Sequence, residues 1–273
     1  MTVGSIRLNS GYGENVSDID IQEPIAWVHE AGAIALRLFK HVTGRRKADR
    51  TWVTEADVEI ERALVARIAA RYPDHGIVGE DQTRRALDHE FLWALDPIDG
   101  TALFIDGLPT WGVSLGLLRR GTPYAGVIYL PLLDDCYWAD PSGGAFLNGQ
   151  PIHVAAAHEW DGDDWIATPS NAHRRFTIDF VGKTRSIGAT IGTFCYVARG
   201  GAIGGLFNRV SIWDIAAGMA ILSAAGGVAV GLNGAQLDTA AMLDGRTVDQ
   251  PMIVGAPDHV GRLREVIRPR ARA

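Results

Sequence analysis

The stretch Trp93-Ala94-Leu95-Asp96-Pro97-Ile98-Asp99-Gly100-Thr101 joins an apolar segment to a polar turn. Residues 92–95 have the composition of a buried strand, and Pro97 and Gly100 predict that this strand ends in a turn. Two carboxylates in one turn, Asp96 and Asp99, repel each other and are costly to desolvate without a compensating charge. Because oxygen ligands on a turn suit Mg²⁺, the pattern indicates a metal or phosphate site, and an Asp that merely caps a turn is the alternative.

A second strand end with acidic residues lies shortly before this stretch. Residues 76–79 form an apolar segment that is followed directly by Glu80 and Asp81. Two such ends close together in sequence predict neighbouring strands whose carboxylates share one cleft, and an exposed acidic loop is the alternative. Asp214 begins an apolar helix much later in the chain, where it either caps that helix or adds a carboxylate to the same cleft.

Two helices are expected before the first acidic strand end. Apolar residues recur at helical spacing over residues 21–42, and Gly44 is expected to close that helix. The basic residues at 45–47 that follow are interpreted as a solvated loop, and contact with an anionic ligand is the alternative. Thr54 is expected to cap a second helix that Tyr72 and Pro73 end. Asp57 lies in its first turn, so the local pattern alone assigns it to compensation of the helix dipole.

The remaining pattern predicts two units with different architectures. Residues 111–118, 124–130 and 136–139 read as strands of an antiparallel meander. After residue 150, expected strands at 165–168, 185–187, 206–207, 228–230 and 252–254 alternate with expected helices at 173–180, 192–202, 214–225 and 258–267, which is typical of an α/β layer. We therefore expect an α+β unit over residues 1–150 and an α/β unit over residues 151–273. The sequence G-V-S-L-G at residues 112–116 matches a nucleophile elbow, but the strand continues beyond it, so Ser114 is expected to be a strand residue.

Composition excludes several classes of protein. The chain has 273 residues, of which 47% are hydrophobic and 21% charged, as in ordinary globular proteins. A formal net charge of −6 argues against a nucleic-acid-binding surface, and no apolar run reaches transmembrane length. Cys136 and Cys195 form no C-x-x-C pair, and the histidines form no H-E-x-x-H motif, so a disulfide framework and a zinc site are disfavoured. We expect a cytoplasmic protein without a membrane or nucleic-acid partner.

Four sequence motifs occur in a specific order: V-T-E-A-D at residues 53–57, G-E-D at 79–81, D-P-I-D-G-T at 96–101 and W-D-I-A-A-G at 213–218. With these motifs the chain resembles the inositol monophosphatase family of Mg²⁺-dependent, lithium-sensitive phosphomonoesterases. The resemblance implies a layered α-β-α-β-α sandwich and two or three bound Mg²⁺ ions. It also implies a small phosphomonoester substrate of the inositol, sugar or polyol phosphate class, and a possible homodimer.

The same resemblance implies roles for individual residues. Glu80, Asp96 and the backbone carbonyl of Ile98 resemble the ligands of a first metal ion, and Asp96, Asp99 and Asp214 those of a second. Most metal ligands would then come from the N-terminal unit, with Asp214 and the substrate contacts from the C-terminal one.

The resemblance also names the residues that would act on water and phosphate. Asp57 and Thr101 resemble the pair that orients the nucleophilic water, which Glu80 also faces. The residues that resemble phosphate- and substrate-binding positions are Asp99, Gly100, Thr101, Gly188 and Ala189.

Three departures from the family pattern bear on the substrate. Asp81 stands where the family often has a second glutamate, and Ala102-Leu103 replaces a Thr-Asn pair. Phe207 stands where inositol and histidinol phosphatases usually carry a glutamate that contacts the polar group of the substrate. Histidinol phosphate and a nucleotide 3′,5′-bisphosphate are the alternative substrates within the family, and the second phosphate of the latter would require Arg174, Arg175 or Arg185. A metal- or phosphate-binding protein that has kept the fold is the non-enzymatic alternative.

Overall fold

Two large β-sheets, two two-stranded sheets and the covering helices make up the computed structural model, which describes residues 19–47, 51–81 and 83–270. The elements of the first part of the chain are α1 Gln22–Leu38, β1 Arg45–Arg46, β2 Trp52–Val53, α2 Glu55–Arg71, β3 Gly76–Gly79, β4 Arg84–Arg85, β5 Phe91–Asp99, α3 Thr101–Asp106, β6 Gly112–Arg119, β7 Thr122–Leu130, β8 Asp135–Ala139, β9 Ala145–Leu147 and β10 Gln150–Pro151. Those of the second part are β11 Trp165–Ala167, α4 Ala172–Arg175, β12 Phe176–Ile178, β13 Lys183–Arg185, α5 Thr190–Ala198, β14 Gly204–Phe207, α6 Ile212–Ala224, β15 Val228–Gly231, a 3₁₀ turn Ala240–Met242, β16 Met252–Gly255, α7 Pro257–Val266 and β17 Ile267–Pro269. The two-stranded sheets are β1-β2 and β12-β17.

The larger sheet has eight strands in the order β10-β9-β8-β7-β6-β5-β3-β4. Strands β6 to β8 form the antiparallel meander that the sequence predicted, β5 extends it, and Ser114 lies inside β6 as expected. β3 and β5 are parallel neighbours, with Gly79 opposite Leu95. Their carboxyl ends therefore lie side by side at one edge of the sheet.

The smaller sheet has five strands in the order β13-β11-β14-β16-β15. Its side chains alternate between the two faces, as the pleat requires. On neighbouring strands, Leu206 and Ile253 join the hydrophobic cluster of α7, whereas Phe207 and Val254 join the cluster of α5 and α6. Both faces of this sheet are thus covered by helices.

The layers follow the order α-β-α-β-α, which confirms the predicted sandwich. α1 and α2 cover one face of the larger sheet through β5, β6 and β7. α5 and α6 lie between the sheets, because α6 contacts β5 to β9 on one side and β15 on the other. α7 contacts β14 and β16 and covers the remaining face. No helix in the three ranges that the structure describes is long and apolar enough to cross a membrane.

Close packing fixes α6 against the larger sheet. A Cβ atom at Gly116 would lie 2.5 Å from the backbone nitrogen of Ala217, and one at Gly126 would lie 2.5 Å from its Cα. Such distances exclude any side chain larger than that of glycine at these two positions without movement of the helix backbone. The first turn of α6, which carries Asp214, is held in place as a result.

Several predicted boundaries are wrong for identifiable reasons. Helix α1 ends at Leu38 instead of residue 42, because Phe39 leaves the helix to pack on Phe104 and Trp111, with ring centroids 5.4 Å away in both cases. Strand β5 continues through Pro97 to Asp99, since a register shift between Asp96 and Asp99 removes the need for a hydrogen bond from the proline nitrogen.

Other differences lie in the second half of the chain. The helix expected over residues 173–180 is only α4, because Phe176–Ile178 forms a strand that pairs with β17 at the far end of the chain. The strand expected at 185–187 is β13 at Lys183–Arg185, and the helix expected at 192–202 is α5 at Thr190–Ala198. The remaining expected strands and helices are found with shifts of one or two residues at their ends.

Candidate active site

Glu80 and Asp96 meet where the parallel strands β3 and β5 end. The backbone nitrogen of Glu80 donates to the carbonyl oxygen of Leu95 at 3.2 Å, so the first residue after β3 lies beside the end of β5. Burial raises the pKa of both carboxyl groups, and the charge of Glu80 raises that of Asp96 further. The prediction that these strand ends pool their carboxylates in one cleft therefore matches the geometry.

The irregular end of β5 directs three predicted site groups to the same edge. Asp96 is 2% exposed, and its Oδ1 accepts a hydrogen bond from the backbone nitrogen of Ile98 at 3.1 Å. The carbonyl oxygen of Ile98 accepts one from Oγ1 of Thr101 at 3.0 Å. Gly100, with a φ of 87°, reverses the chain between Asp99 and α3, a conformation that glycine adopts without strain.

Asp57 both caps helix α2 and contacts Thr101. Its Oδ2 accepts hydrogen bonds from the backbone nitrogen of Thr54 at 2.7 Å and from the Thr54 hydroxyl at 2.6 Å, while Oδ1 lies 3.4 Å from the Thr101 hydroxyl. Burial raises the pKa of Asp57 to about 6, although the two hydrogen bonds from Thr54 oppose this shift. The local interpretation as a helix-start residue and the role implied by resemblance are thus compatible in one side chain.

Asp99 and Asp214 reach the cleft from opposite sides. Oδ2 of Asp99 accepts a hydrogen bond from the backbone nitrogen of Ile191 at 2.6 Å, at the start of α5. Burial raises the pKa of Asp99 to about 7 against the effect of that amide. Oδ2 of Asp214 accepts from the backbone nitrogen of Ser211 at 2.8 Å, so Asp214 caps α6 in addition to facing Asp99.

These carboxylates form an electrostatically unfavourable cluster. Burial raises the pKa of Asp96, and Glu80, Asp99 and Asp214 raise it further. Burial and then Asp99 raise the pKa of Asp214. Asp96, Asp99 and Asp214 form no ion pair with any residue in the described ranges. Oxygen donors that raise each other's pKa in this way suit hard divalent cations, which would stabilise their ionised forms.

The cluster is not a closed metal cage in this conformation. Within residues 19–47, 51–81 and 83–270, no three His, Cys, Asp or Glu side chains already converge as ligands of one ion. The amides of Ile191 and Ser211 hold two of the carboxylates. The fit to a cation therefore rests on the donor chemistry and on the mutual effects of the charges.

Lys47 is a member of this cluster that the sequence interpretation missed. Its Nζ lies 2.9 Å from Oε1 of Glu80 and 2.5 Å from Oδ1 of Asp81. Burial opposes ionisation, but Glu80 and Asp81 together raise the pKa of Lys47 above its usual range. The interpretation of residues 45–47 as a solvated loop is therefore wrong for Lys47. The two adjacent acids Glu80 and Asp81, which have no basic residue directly beside them in sequence, were the signal that a cation lies nearby.

A cavity of about 340 Å³ adjoins the cluster on the side of the smaller sheet. Gly188 and Ala189, both predicted substrate contacts, line it, and a Cβ at Gly100 would lie 3.2 Å from Cβ of Ala189. Phe207 also lines it and stacks on Phe194 with ring centroids 5.1 Å apart. The other lining residues are Thr168, Pro169, Ser170, Asn171, Arg175, Ser186, Thr190, Thr193, Leu206, Asn208 and Arg209.

The arginines that the sequence suggested for a second phosphate separate in the structure. Arg175 lines the cavity, whereas Arg174 and Arg185 do not. The guanidinium carbon of Arg185 lies 5.4 Å from the centre of the Trp165 ring. Arg209 lines the cavity and was not singled out, because no local motif marks it. Its position in sequence, between Phe207 and the motif that contains Asp214, was the one indication that Arg209 lies near the substrate.

Comparison with known proteins places this geometry in context. The model of the inositol monophosphatase family matches residues 17–268. A fructose-1,6-bisphosphatase/inositol-1-monophosphatase of Aquifex aeolicus is 33% identical over 67% of this chain and 73% of its own length. A histidinol-phosphatase of Chlorobaculum parvum is 34% identical over 80% of this chain and 87% of its own.

A solved structure has the same architecture. The extragenic suppressor protein suhB from Bartonella henselae superposes with a TM-score of 0.79 at 25% identity, over 90% of this chain and 97% of that one. The similarity therefore extends over both sheets.

Proposed function

Because the chain belongs to the inositol monophosphatase family, a family of metal-dependent phosphatases, we propose that it hydrolyses a small phosphomonoester by direct attack of a metal-activated water. Its relatives are named for inositol phosphate, fructose bisphosphate and histidinol phosphate. Hydrolysis of a phosphomonoester is the reaction that these names share. The buried carboxylate cluster of Glu80, Asp96, Asp99 and Asp214 is the observation that carries the proposal.

We assign the cluster to the cations that this reaction needs. Glu80, Asp96 and the carbonyl of Ile98 would hold one Mg²⁺, and Asp96, Asp99 and Asp214 a second. Cations held there would neutralise phosphoryl oxygens, lower the pKa of water and stabilise the leaving alkoxide. An oxygen-only donor set favours Mg²⁺ over softer metals, which prefer nitrogen or sulfur ligands.

Thr101 and Asp57 would orient the attacking water. The Thr101 hydroxyl has a single proton, for which Oδ1 of Asp57 and the carbonyl of Ile98 are the acceptors. With that proton engaged, the lone pairs of Oγ1 are free to accept a hydrogen bond from water. A pKa of about 6 keeps Asp57 ionised at neutral pH, where it can hold the proton of Thr101. Glu80 would face the same water.

The turn at Gly100 would bind the phosphoryl group. The backbone nitrogens of Gly100 and Thr101 lie at the start of α3, where the first backbone hydrogen bond runs from Phe104 to the carbonyl of Gly100. Amides at such a position have no partner within the helix and are suited to an anion. Asp99, Gly188 and Ala189 would complete the binding surface.

The finer assignments are supported by the resemblance to the family. We propose two or three Mg²⁺ ions per chain, a homodimer and a cytoplasmic location. We also propose functional units at residues 1–150 and 151–273. In support of this division, the larger sheet ends at Pro151 and the smaller one begins at Trp165.

Phosphate release from a panel of phosphomonoesters, with Mg²⁺ and with EDTA, tests the function. We expect turnover of sugar or polyol phosphates that requires Mg²⁺ and decreases when lithium is added. Absence of turnover with every substrate would contradict the enzymatic function and favour a protein that only binds metal or phosphate. Turnover that persists in EDTA would contradict the role assigned to the cluster.

A further inference from the structure

We propose that the leaving group of the natural substrate carries a second negative charge, which Arg209 binds in the cavity with a weaker contribution from Arg175. This inference rests on the proposed phosphatase function, because it concerns the part of the substrate beyond the reacting phosphate. The shared chemistry is an anionic oxygen group, either a carboxylate or a second phosphate.

The charge of the cavity wall is the first observation. The lining includes Arg175 and Arg209 and no Asp or Glu among the described residues. The cavity borders the cluster, because Ala189 and Thr190 line it and directly precede Ile191, whose amide binds Asp99, and a Cβ at Gly100 would lie 3.2 Å from Cβ of Ala189. A substrate whose phosphate is bound at the Gly100 turn would therefore extend its leaving group toward the two guanidinium groups.

The state of Arg209 is the second observation. Arg209 is exposed, and its guanidinium forms no hydrogen bond or ion pair within the described part of the chain. Arg209 lines the cavity directly after Phe207 and Asn208, so its guanidinium is available to a ligand bound there. Arg175 already pairs with Asp249 at 3.3 Å, and for this reason we expect its contribution to be smaller.

The polar and apolar groups between the arginines narrow the ligand further. Phe207 is buried against Phe194 and offers neither a hydrogen-bond acceptor nor a negative charge. Because the described lining also contains no Asp or Glu, it has no group that would bind a cationic amine. Oδ1 of Asn208 is buried without a hydrogen-bond partner within the described ranges, while its Nδ2 donates to Oδ1 of Asn171 at 2.6 Å. Because Asn208 lines the cavity, a rotation of its side chain would bring this unpaired acceptor to a ligand hydroxyl, so a hydroxylated anionic leaving group satisfies the cavity best.

Matched substrate pairs test the proposal. Glycerol 2-phosphate and 2-phosphoglycerate differ only in a hydroxymethyl group against a carboxylate, and fructose 1-phosphate and fructose 1,6-bisphosphate differ in a hydroxyl against a phosphate. We expect kcat/KM of the wild type to be about tenfold higher for the anionic member of at least one pair, mainly through KM. The pair that shows the preference identifies the carboxylate or the phosphate as the second group.

Three variants locate the effect. Arg209→Gln should abolish the preference, so that the ratio of kcat/KM for the anionic and uncharged members is about one. Arg209→Lys should retain part of the preference because the charge remains. Arg175→Gln should reduce the preference less. Arg185→Gln should leave it unchanged, since this guanidinium lies against Trp165 outside the cavity.

Failure of the inference is distinguishable from failure of the proposed function. p-Nitrophenyl phosphate, whose leaving group carries no second charge, serves as the general substrate in the presence of Mg²⁺. If it and both pairs are inert, the phosphatase function itself is overturned. If substrates are hydrolysed but both members of each pair react equally, or if Arg209→Gln slows both members by the same factor, the second-anion site is overturned.

Discussion

The carboxylate cluster and the adjoining cavity differ in how the chain builds them. Each carboxylate of the cluster lies in or next to a regular element, and three of them are fixed by backbone amides at Ile98, Ile191 and Ser211. The cavity is assembled from loops and strand ends of the smaller sheet, and its arginines are exposed. A reaction that many relatives share requires rigid, buried ligands, whereas substrate choice can depend on side chains that change without loss of the fold.

The largest expected effect comes from Asp96, which is assigned to both cations. Asp96→Asn removes a charge but hardly changes volume, and we expect kcat/KM to fall about a thousandfold, which corresponds to roughly 4 kcal/mol of transition-state stabilisation. Stabilisation of the protein by Mg²⁺ in a thermal melt should be lost as well. The exposed Asp88→Asn is the matched control and should change neither quantity. Unchanged activity of Asp96→Asn would remove the distinction between cluster and cavity.

Thr101 tests whether the cluster also orients water. Thr101→Ala deletes the hydroxyl that lies 3.0 Å from the Ile98 carbonyl and 3.4 Å from Asp57. We expect kcat to fall about a hundredfold with little change in KM, because the hydroxyl acts on the reacting water and not on the bound substrate. Thr101→Ser keeps the hydroxyl and should recover most of kcat. A large rise in KM with normal kcat would assign Thr101 to substrate binding instead.

The metal-free protein should lose stability as pH rises. Burial raises the pKa of Asp57 to about 6 and that of Asp99 to about 7, so between pH 4 and 7 the folded state binds more protons than the unfolded state. The free energy of unfolding in EDTA should therefore fall over this range, by on the order of 5 kcal/mol. Urea titrations at pH 4.5 and 7.5 measure the difference.

Two comparisons make this pH dependence specific to the cluster. Asp99→Asn should show a smaller fall in stability, because the substituted group does not titrate. Mg²⁺ at pH 7.5 should raise the stability of the wild type, since cation binding favours the ionised carboxylates. A metal-free stability that rises between pH 4.5 and 7.5 to the same extent in both proteins would contradict the proposed electrostatic penalty.

Short-range patterns were sufficient to predict most strands and helices and to nominate the cluster, whereas the order of the layers was predicted from the resemblance to the family. Trp93 packs in one hydrophobic cluster and Ala94 in another, on opposite faces of β5. A strand that is buried on both faces has an unbroken apolar sequence, which can be recognised without the structure. The four motifs also carry the residues that the structure brings together at the ends of β3 and β5 and at the start of α6.

The errors arise where a distant partner determines the local structure. Phe176–Ile178 becomes a strand because it pairs with Ile267–Pro269, and no local signal encodes that partner. Lys47 pairs with Glu80, which lies 33 residues away in sequence, so local sequence does not reveal the contact. Arg209 gains its significance only from the cavity that folding creates around it.

The smallest expected effect concerns Asn208, which tests whether the cavity acts on substrate binding independently of the carboxylate cluster. Asn208→Ala removes the buried Oδ1 that has no hydrogen-bond partner in the described ranges, so no existing hydrogen bond to that atom is lost in the free enzyme. If Oδ1 accepts a hydroxyl of the substrate, KM for a hydroxylated substrate should rise about fivefold, as expected for one neutral hydrogen bond of about 1 kcal/mol. The affinity for Mg²⁺, measured by thermal stabilisation, should not change, because Asn208 contacts Asn171 and none of the four carboxylates. A change in Mg²⁺ affinity would mean that the cavity and the cluster form one coupled site, and the division between shared chemistry and variable recognition would fail at this residue.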